Sequence, residues 1–221
     1  TIDETQRGYG SVVPSIIEII LQATGQQANG NPISGSTATA NPGYKFVGWY
    51  KVTGEETYEK VTADPELTSE LAESELNRDE KTGLYRNTVF EARFELDAGA
   101  KVPVTYEAEN GTLEGTTSQE AHIVTGDGLT DVEATPNKGY KFDGWYKGDE
   151  RITTDLTLTP KMAKDKLDKD ENGPYVNTTF TAKFVPDEDQ HATVIYTIDE
   201  TQRGYGSVVP SIIEIILQAT G

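Results

Sequence analysis

The 221-residue chain has 37 acidic and 19 basic side chains, so its formal net charge is −18, and it contains no cysteine. Such a charge repels the phosphates of nucleic acids and of anionic membranes, so neither is an expected partner. The missing cysteines exclude disulfide bonds, thiolate nucleophiles and zinc–cysteine sites. No apolar run approaches the ~20 residues that a membrane-spanning helix needs. Residues 1–10 lack the basic and apolar regions of a signal peptide, so we expect any export signal to lie outside this sequence.

The first apolar stretch of the chain is SIIEIILQAT, residues 15–24. Its density of β-branched side chains favours a strand, although the same letters would also tolerate a helix. The stretch AHIVTG, residues 121–126, holds the corresponding place in the second half and is too short for a helix. We therefore predict strands at both places.

The stretch GSTATANPGYKFVGWYK, residues 35–51, predicts two long strands separated by a turn at Asn41–Gly43. Strict alternation along the second strand would put Phe46 and Trp49 on opposite faces. A β-bulge at Gly48 would shift this alternation and let both aromatic side chains point inward.

A short helix and a closing strand complete the first half of the chain. In DPELTSELAESELN, residues 64–77, Asp64 can cap a helix whose first turn contains Pro65. An imperfect apolar stripe on this helix is formed by Leu67, Leu71 and Leu76. The stretch NTVFEARF, residues 87–94, alternates cleanly, which predicts a closing strand. Its inner face would carry Phe90, Ala92 and Phe94.

The second half repeats this order of elements. The stretch at 101–115, KVPVTYEAENGTLEG, predicts a hairpin that turns at Asn110–Gly111. NKGYKFDGWYK at 137–147 corresponds to NPGYKFVGWYK of the first half. TPKMAKDKLDKD then predicts a helix with Pro160 in its first turn, and TTFTAKFV predicts a closing strand with Phe180, Ala182 and Phe184 inward.

A stricter repeat frames both halves, because residues 1–25 recur letter for letter as residues 197–221. We therefore divide the chain into a first module at 1–98, a second at 102–189 and the start of a third at 192–221. A natural tandem array or an engineered duplication would each produce such identity. Each full module is predicted to be an α+β unit, with one short helix packed on a face of a mixed sheet.

The motif GYKF-x-GWYK, followed by a closing FEARF or FTAKF strand, resembles the InlB-type B-repeat superfamily and its divergent bacterial-repeat branch. The resemblance covers both full modules. It implies tandem β-grasp-like modules on surface or secreted proteins of bacteria, mostly Gram-positive, that serve as spacers or adhesive stalks. It brings no catalytic motif. The acidic insertion at 55–82 is longer than in minimal family members.

We accordingly predict that the chain is no enzyme but an extracellular, cell wall-associated repeat region that forms the stalk of an adhesin and holds no cofactor. Its expected partners are neighbouring repeats. The opening strands at 197–221 lack their usual partners and carry a dense apolar cluster, which predicts strand exchange with another chain or with an edge of the second module. That cluster consists of Ile212, Ile213, Ile215, Ile216 and Leu217.

The repeated aromatic residues Trp49, Tyr50, Trp145 and Tyr146 are open to two interpretations. They can be core side chains of two small folds. They can also be exposed platforms that bind a glycan or a host protein, since aromatic rings with one polar edge suit recognition. The second interpretation gives the first alternative function, a binding module.

The stretch DKDENG, residues 168–173, resembles the start of a calcium-binding loop. Its ligands would be Asp168, Asp170 and Asn172, but Thr179 stands where such a loop has its bidentate glutamate. The alternative is a solvated turn after the helix. A weak Ca²⁺ site here gives the second alternative function, a calcium-stabilised linker.

Other reactive groups show no spacing that predicts catalysis. The two histidines lack a neighbouring serine–aspartate pattern, so we expect His122 on a strand surface and His191 in a linker. An isopeptide bond would need a buried lysine and asparagine beside a carboxyl group. The repeated candidates for one are Lys45 and Lys141 with Asn87 and Asn177.

Overall fold

The computed structural model describes residues 1–3, 6–209 and 212–216, the last of these by their backbone. The chain divides into two compact units, Thr1–Ala100 and Lys101–Gly221, called unit 1 and unit 2 below. Both are predominantly β, and each contains one short α-helix in the described residues. The coarse α+β class fits this arrangement, while the β-grasp assignment and the separate third module stay predictions.

Unit 1 contains two three-stranded sheets. The strand order is β1–β2–β5 in one sheet and β4–β3–β6 in the other. The elements are β1 (Gly10–Val13), β2 (Ser36–Ala40), β3 (Tyr44–Gly54), β4 (Thr57–Thr62), β5 (Glu66–Leu67), α1 (Ser69–Ser74) and β6 (Phe90–Leu96).

The predicted turn before the aromatic strand is confirmed, and of the two possible registers of that strand the structure has the one with a β-bulge at Gly48. β2 and β3 are separated by a turn in which the Tyr44 amide donates to the Asn41 carbonyl at 3.0 Å. The pairing of β3 with β6 shifts between Phe46 and Gly48, so Phe46 and Trp49 both reach the core. A Cβ added at Gly48 would lie 2.8 Å from the Thr62 carbonyl oxygen, so the bulge needs glycine.

Unit 2 repeats this plan with a larger main sheet. Its five-stranded sheet has the order β12–β11–β14–β7–β9, beside a three-stranded sheet β13–β10–β8 and a two-stranded sheet β15–β16. The strands are β7 (Lys101–Glu109), β8 (Gly111–Glu114), β9 (Ser118–His122), β10 (Val132–Pro136), β11 (Tyr140–Lys147), β12 (Glu150–Thr153), β13 (Thr157–Leu158), β14 (Thr178–Pro186), β15 (His191–Ile195) and β16 (Ile212–Ile216). The helices are α2 (Pro160–Lys164) and a 3-10 turn (Glu200–Gln202).

The first and last long strands of unit 2 are neighbours. β7 runs parallel to β14 over six paired positions, from Val104 opposite Thr178 to Glu109 opposite Lys183. This pairing buries Val104 completely and leaves Tyr106 only 3% exposed. The first strand of the unit is therefore also a central strand of its core.

Unit 1 has only a trace of this parallel pair among its described residues. Ile2 forms a single parallel bridge with Ala92 of β6, and the Thr1 ammonium donates to the Phe90 carbonyl at 2.8 Å. Burial lowers the pKa of that ammonium. Ala92 of unit 1 corresponds to Ala182 of unit 2, which pairs with Ala108 of β7. Residues Thr1–Asp3 therefore lie at the position that the end of β7 occupies in unit 2.

The strand predicted at residues 15–24 is wrong for unit 1. Residues 15–19 have no regular structure, and Ile20 forms only one isolated bridge, with Gln27. In unit 2 the corresponding β9 pairs with β7, whereas none of the described residues of unit 1 forms a strand beside residues 15–19. The identical letters do form a strand later, as β16 beside β15.

Of the two predicted helix starts, the first is wrong and the second is confirmed. The helix predicted from Asp64 and Pro65 is wrong at its start: α1 begins at Ser69, with Thr68 as its N-cap, because the residues before it form β5. α2 begins at Pro160 as predicted, and the Thr159 hydroxyl accepts from the third amide of the helix. The inward alternation of both closing strands is confirmed, with the alanine fully buried in each.

Candidate functional site

The two tryptophans of the repeated motif occupy equivalent, closed positions. Trp49 is 1% exposed and Trp145 is fully buried. The Trp49 indole N–H donates to the Pro65 carbonyl at 3.0 Å, and the Trp145 indole N–H donates to the Leu156 carbonyl at 3.0 Å. Each indole thereby fixes the segment that leads into the helix onto the aromatic strand.

Each of these carbonyls also accepts a backbone hydrogen bond from the second sheet. The Ala38 amide of β2 donates to the Pro65 oxygen at 2.9 Å, and the Ala134 amide of β10 donates to the Leu156 oxygen at 3.0 Å. One carbonyl oxygen therefore links the indole, the helix segment and the neighbouring strand in each unit. A buried indole N–H needs such a partner, since an unpaired one is costly.

The other rings of the motif complete an aromatic core. Phe46 lies edge-to-face with Trp49 at 6.3 Å and with Phe94 at 5.7 Å between ring centroids. Unit 2 repeats both contacts, from Phe142 to Trp145 at 6.5 Å and from Phe142 to Phe184 at 5.3 Å. This geometry is favourable for aromatic pairs, so the motif encodes packing.

The tyrosines beside the tryptophans are partly exposed, but cations lie over their rings. The Arg93 guanidinium lies 4.8 Å from the Tyr50 ring and 3.7 Å from the Tyr58 ring. The Lys183 ammonium lies 4.8 Å from the Tyr146 ring, whose hydroxyl donates to the Asp143 carboxylate. That hydrogen bond raises the pKa of the Tyr146 hydroxyl.

This geometry corrects the interpretation of Trp49 and Trp145 as exposed platforms, because the Gly48 bulge and its counterpart at Gly144 turn both indoles into the core. Tyr50 and Tyr146 remain the accessible part of the predicted binding site. Whether they bind a ligand stays a prediction.

The lysine that ends the motif ties the aromatic strand to the segment after the helix. Lys51 donates to Glu75 at 2.7 Å, and Lys147 donates to Asp168 at 2.8 Å. The side chain of Lys51 is only 13% exposed. The hydrogen bond to Glu75 raises the pKa of the Lys51 ammonium. Sequence reasoning missed this pair, although the repetition of lysine after each GWY was visible.

The repeated motif thus makes the same structural contacts in both units. Comparison with protein families also divides the chain into two matching segments. The family model for the divergent InlB B-repeat domain matches residues 8–70 and 102–188, more than half of the chain. The chain belongs to the divergent InlB B-repeat family. Searches of curated proteins and of solved structures gave no significant match.

Membership in the B-repeat family indicates a surface-associated bacterial repeat domain of a typically non-catalytic kind. Within the described residues, no helix combines the length and the apolar character needed to cross a membrane. The resemblance drawn from the motif is confirmed by the family model.

The predicted calcium loop lies in the second B-repeat, after α2. Asp168 is engaged by Lys147, and the Asp170 carboxylate accepts from the Asn172 amide at 2.8 Å, as in an ordinary polar turn. Among the described residues, no group of three or more acidic, histidine or cysteine side chains is arranged to hold a metal ion. Calcium binding at Asp168, Asp170 and Asn172 stays a prediction that this arrangement does not favour.

The expectations for the histidines need correction. His122 is 8% exposed rather than on the strand surface, because its Nδ1 accepts from the backbone amides of Val124 and Thr125 at 3.2 and 3.3 Å. His191 begins β15 and does not lie in a linker.

The candidate isopeptide lysine of the first B-repeat is a surface residue. Lys45 is exposed and forms an ion pair with Glu95 on the adjacent strand at 3.1 Å. An isopeptide bond needs a buried lysine, and Lys45 does not meet that condition.

Proposed function

We propose that the two B-repeats are a non-catalytic spacer in the stalk of an extracellular, cell wall-associated bacterial adhesin. The observation that carries this proposal is the use of the repeated residues. The tryptophan, the glycine and the lysine of the motif all make contacts inside their own unit. A sequence copied to preserve such contacts preserves a fold, whereas a copied catalytic or ligand site would need side chains that converge on a common accessible point.

The topology of unit 2 supports a mechanical role. β7 is the first strand of the five-stranded sheet and β14 is its last strand along the chain, and the two strands are parallel neighbours. Tension applied through the chain therefore pulls these strands in opposite directions along their length. All of the hydrogen bonds between them bear the load together, instead of breaking one after another.

Single-molecule force spectroscopy tests this role, and the chain has no native cysteine to interfere with attachment. Cysteines introduced by Lys101→Cys and Asp189→Cys would load unit 2 along the direction of the chain. The control pair, Lys101→Cys with Asn177→Cys, would pull the same two strands apart from one end. The proposal expects a clearly higher unfolding force for the first pair, and equal forces would contradict it.

A ligand-binding role at Tyr50 and Tyr146 is the alternative proposal. A glycan ligand would have to displace Arg93 and Lys183 from the tyrosine rings, which weakens this alternative. A glycan array tests it with the wild-type chain and with a Tyr50→Ala/Tyr146→Ala variant. Binding that the double substitution abolishes would favour a binding module, while an empty array would favour the spacer.

A calcium-stabilised linker is the third proposal, and its test is a thermal melt in Ca²⁺ and in chelator. An Asp170→Asn variant serves as the control, since Asp170 is the predicted ligand with no ion pair in its described contacts. A melting temperature that rises with Ca²⁺ only in the wild-type chain would support a site at this turn.

A further inference from the structure

Three asparagines of the chain are followed directly by glycine, in the pairs Asn29–Gly30, Asn110–Gly111 and Asn172–Gly173. In such a pair the backbone nitrogen of the glycine can attack the side-chain Cγ of the asparagine, because the glycine has no Cβ to hinder the approach. The three pairs consist of the same two residues in different surroundings. The structure therefore decides how readily each pair reacts.

The pair Asn29–Gly30 lies in an exposed turn that brings its two reacting atoms together. The Asn31 amide donates to the Oδ1 atom of Asn29 at 2.9 Å. This hydrogen bond closes a small ring that contains both the Cγ of Asn29 and the backbone nitrogen of Gly30. Both residues are exposed, and a Cβ placed on Gly30 would meet no other described residue within 4 Å. Solvent can therefore reach the nitrogen and remove its proton.

The same hydrogen bond stabilises the charge that the attack creates. When the glycine nitrogen bonds to Cγ, the Oδ1 atom of Asn29 becomes an oxyanion. A backbone N–H that already points at this oxygen stabilises the charge without further rearrangement. Asn31 supplies that donor because it is the residue after Gly30. The turn thus provides both the approach and the stabilisation that the reaction needs.

The pair in unit 2 that resembles it most lacks this donor. Asn172 and Gly173 are also exposed, and the Gly173 amide donates to the Asp170 carbonyl at 3.2 Å, much as the Gly30 amide donates to the Gln27 carbonyl at 2.9 Å. The residue after Gly173, however, is Pro174, which has no N–H to donate to the Asn172 side chain. The two pairs therefore differ mainly in the oxyanion donor.

The third pair is held between two strands. Gly111 pairs with Pro136 of β10, and the Asn110 carbonyl accepts from the Asn137 amide at 3.2 Å. The position that a Cβ on Gly111 would take is only 2.2 Å from the Phe184 ring, so this glycine is packed tightly. The backbone on both sides is fixed, which opposes the rotation that the attack would need.

We propose that Asn29 is a self-modification site of the first B-repeat, where the chain loses ammonia and gains a carboxylate. The Gly30 nitrogen gives its proton to solvent and bonds to the Cγ of Asn29. The bond from Cγ to the side-chain nitrogen breaks, and this nitrogen takes a proton from solvent and leaves as ammonia. Water then opens the cyclic imide at either carbonyl, which leaves aspartate or its β-linked isomer. Water is the only co-reactant.

The β-linked isomer would also change the loop. It lengthens the backbone between Asn29 and Gly30 by the Cβ atom. Across this stretch the Gln27 amide donates to the Asn31 carbonyl at 3.0 Å, and the Gln27 side chain donates to the Glu18 carboxylate at 2.9 Å. A longer backbone does not fit the first of these hydrogen bonds, so the modification loosens the loop from Glu18.

Peptide mass spectrometry of the aged protein tests the proposal. Trypsin places the three pairs in separate peptides, 8–45, 102–138 and 170–183. The other asparagines of the first peptide, Asn31 and Asn41, precede proline, which has no N–H and cannot form the imide. Asparagine deamidation in this peptide therefore reports Asn29 alone.

The folded chain is incubated at mildly alkaline pH, where the glycine nitrogen loses its proton more readily. We expect Asn29 to react about tenfold faster than Asn172 and Asn110, a small part of the rate gain that an oxyanion donor gives an enzyme. The same chain in urea is the control for sequence, because unfolding removes the Asn31 hydrogen bond. There the three asparagines should react at similar rates.

A matched pair of substitutions tests the donor itself. Asn31→Pro removes the N–H, whereas Asn31→Ala keeps it, and Trp49 fluorescence shows that unit 1 of each variant is folded. Asn29 should react about as slowly as Asn172 in Asn31→Pro and at the wild-type rate in Asn31→Ala. Equal rates of Asn29 and Asn172 in the folded wild type, a ratio that persists in urea, or equal rates in the two variants would each overturn the proposal.

Discussion

Unit 1 and unit 2 hold their tryptophan in the same way, while the described residues of unit 1 include only the end of the strand that β7 forms in unit 2. Unit 2 has β7 beside β14, which brings Val104 and Tyr106 into the core. Unit 1 has a single bridge at Ile2, and its core depends on the aromatic strand and β6. The comparison teaches that the GYKF-x-GWYK motif packs in the same way in both units, whatever lies beside the closing strand.

The largest expected effect removes the feature that the units share. Trp49→Ala and Trp145→Ala should each destabilise their own unit by about 3–5 kcal/mol, the usual cost of deleting a large buried aromatic side chain. Hydrogen exchange followed by mass spectrometry resolves the units and should show lost protection only in the substituted one. Tyr205→Ala is the control, because Tyr205 is 89% exposed. Loss of protection in both units would mean that their cores are not independent.

The free energy of unfolding should also differ between the two wild-type units, by a smaller amount. Burying Val104 and Tyr106 is worth roughly 1.5–3 kcal/mol each, and ordering the extra strand cancels part of that gain, so we expect unit 2 to be more stable by about 2 kcal/mol.

Trp49→Phe and Trp145→Phe each leave one fluorescent reporter, since the chain has two tryptophans. The Trp49 signal should change at a lower urea concentration than the Trp145 signal. Coincident transitions would contradict the expected order.

The lysines after the motif should contribute next. Lys51→Met removes a partly buried charged hydrogen bond and should cost about 1–2 kcal/mol. Lys147→Met should cost less, because the side chain of Asp168 is 46% exposed and solvent screens the pair. Lys45→Met is the matched control on the same strand as Lys51 and should change the urea midpoint little. If all three substitutions lowered stability equally, the effect would come from the change on the strand and not from the ion pairs of Lys51 and Lys147.

The smallest effect concerns the ring of Tyr106, which has no counterpart in the core formed by the described residues of unit 1. Burial raises the pKa of Tyr106 to about 12, and its hydroxyl has no hydrogen-bond partner among the described residues. The unfolded chain releases this proton near pH 10. The neutral hydroxyl therefore favours the folded state fully below pH 10, and this contribution is lost as the pH rises from about 10 to about 12.

Tyr106→Phe should leave unit 2 as stable or slightly more stable at neutral pH, and it should reduce the alkaline loss of stability. Urea midpoints read from Trp145 between pH 8 and pH 12 measure both. Tyr146→Phe removes the other raised tyrosine pKa of unit 2 and shows how much of the loss belongs to that residue. An unchanged alkaline slope in Tyr106→Phe would contradict the assignment.

Local patterns in the sequence were sufficient for the parts of the fold that depend on neighbouring residues. The alternation of Phe90, Ala92 and Phe94 and the helix start at Pro160 were predicted because each uses the chemistry of a few adjacent residues. The bulge at Gly48 was one of two possible registers of the aromatic strand. The burial of the tryptophans was one of two open interpretations. The carbonyl that accepts from each indole was not predictable, because any residue can supply it.

The failures concern residues whose structure depends on a distant partner. SIIEIILQAT has strong strand preference, but no strand among the described residues of unit 1 pairs with residues 15–19, and they are irregular. The start of α1 was misplaced because Glu66 and Leu67 pair with β2, a long-range contact that outweighs the helix signal of Pro65. His122 was misplaced because the loop after β9 folds back and donates two amides to its ring.

The carbonyl that accepts each indole N–H has a consequence for how such arrays diverge. The donor is a side chain, so the tryptophan must be kept. The acceptor is a backbone carbonyl, which any residue can supply. Proline holds that place in the first copy and leucine in the second. Successive copies can therefore differ in the residue at the acceptor position. Recombination between unequal copies still brings an indole N–H together with a backbone carbonyl.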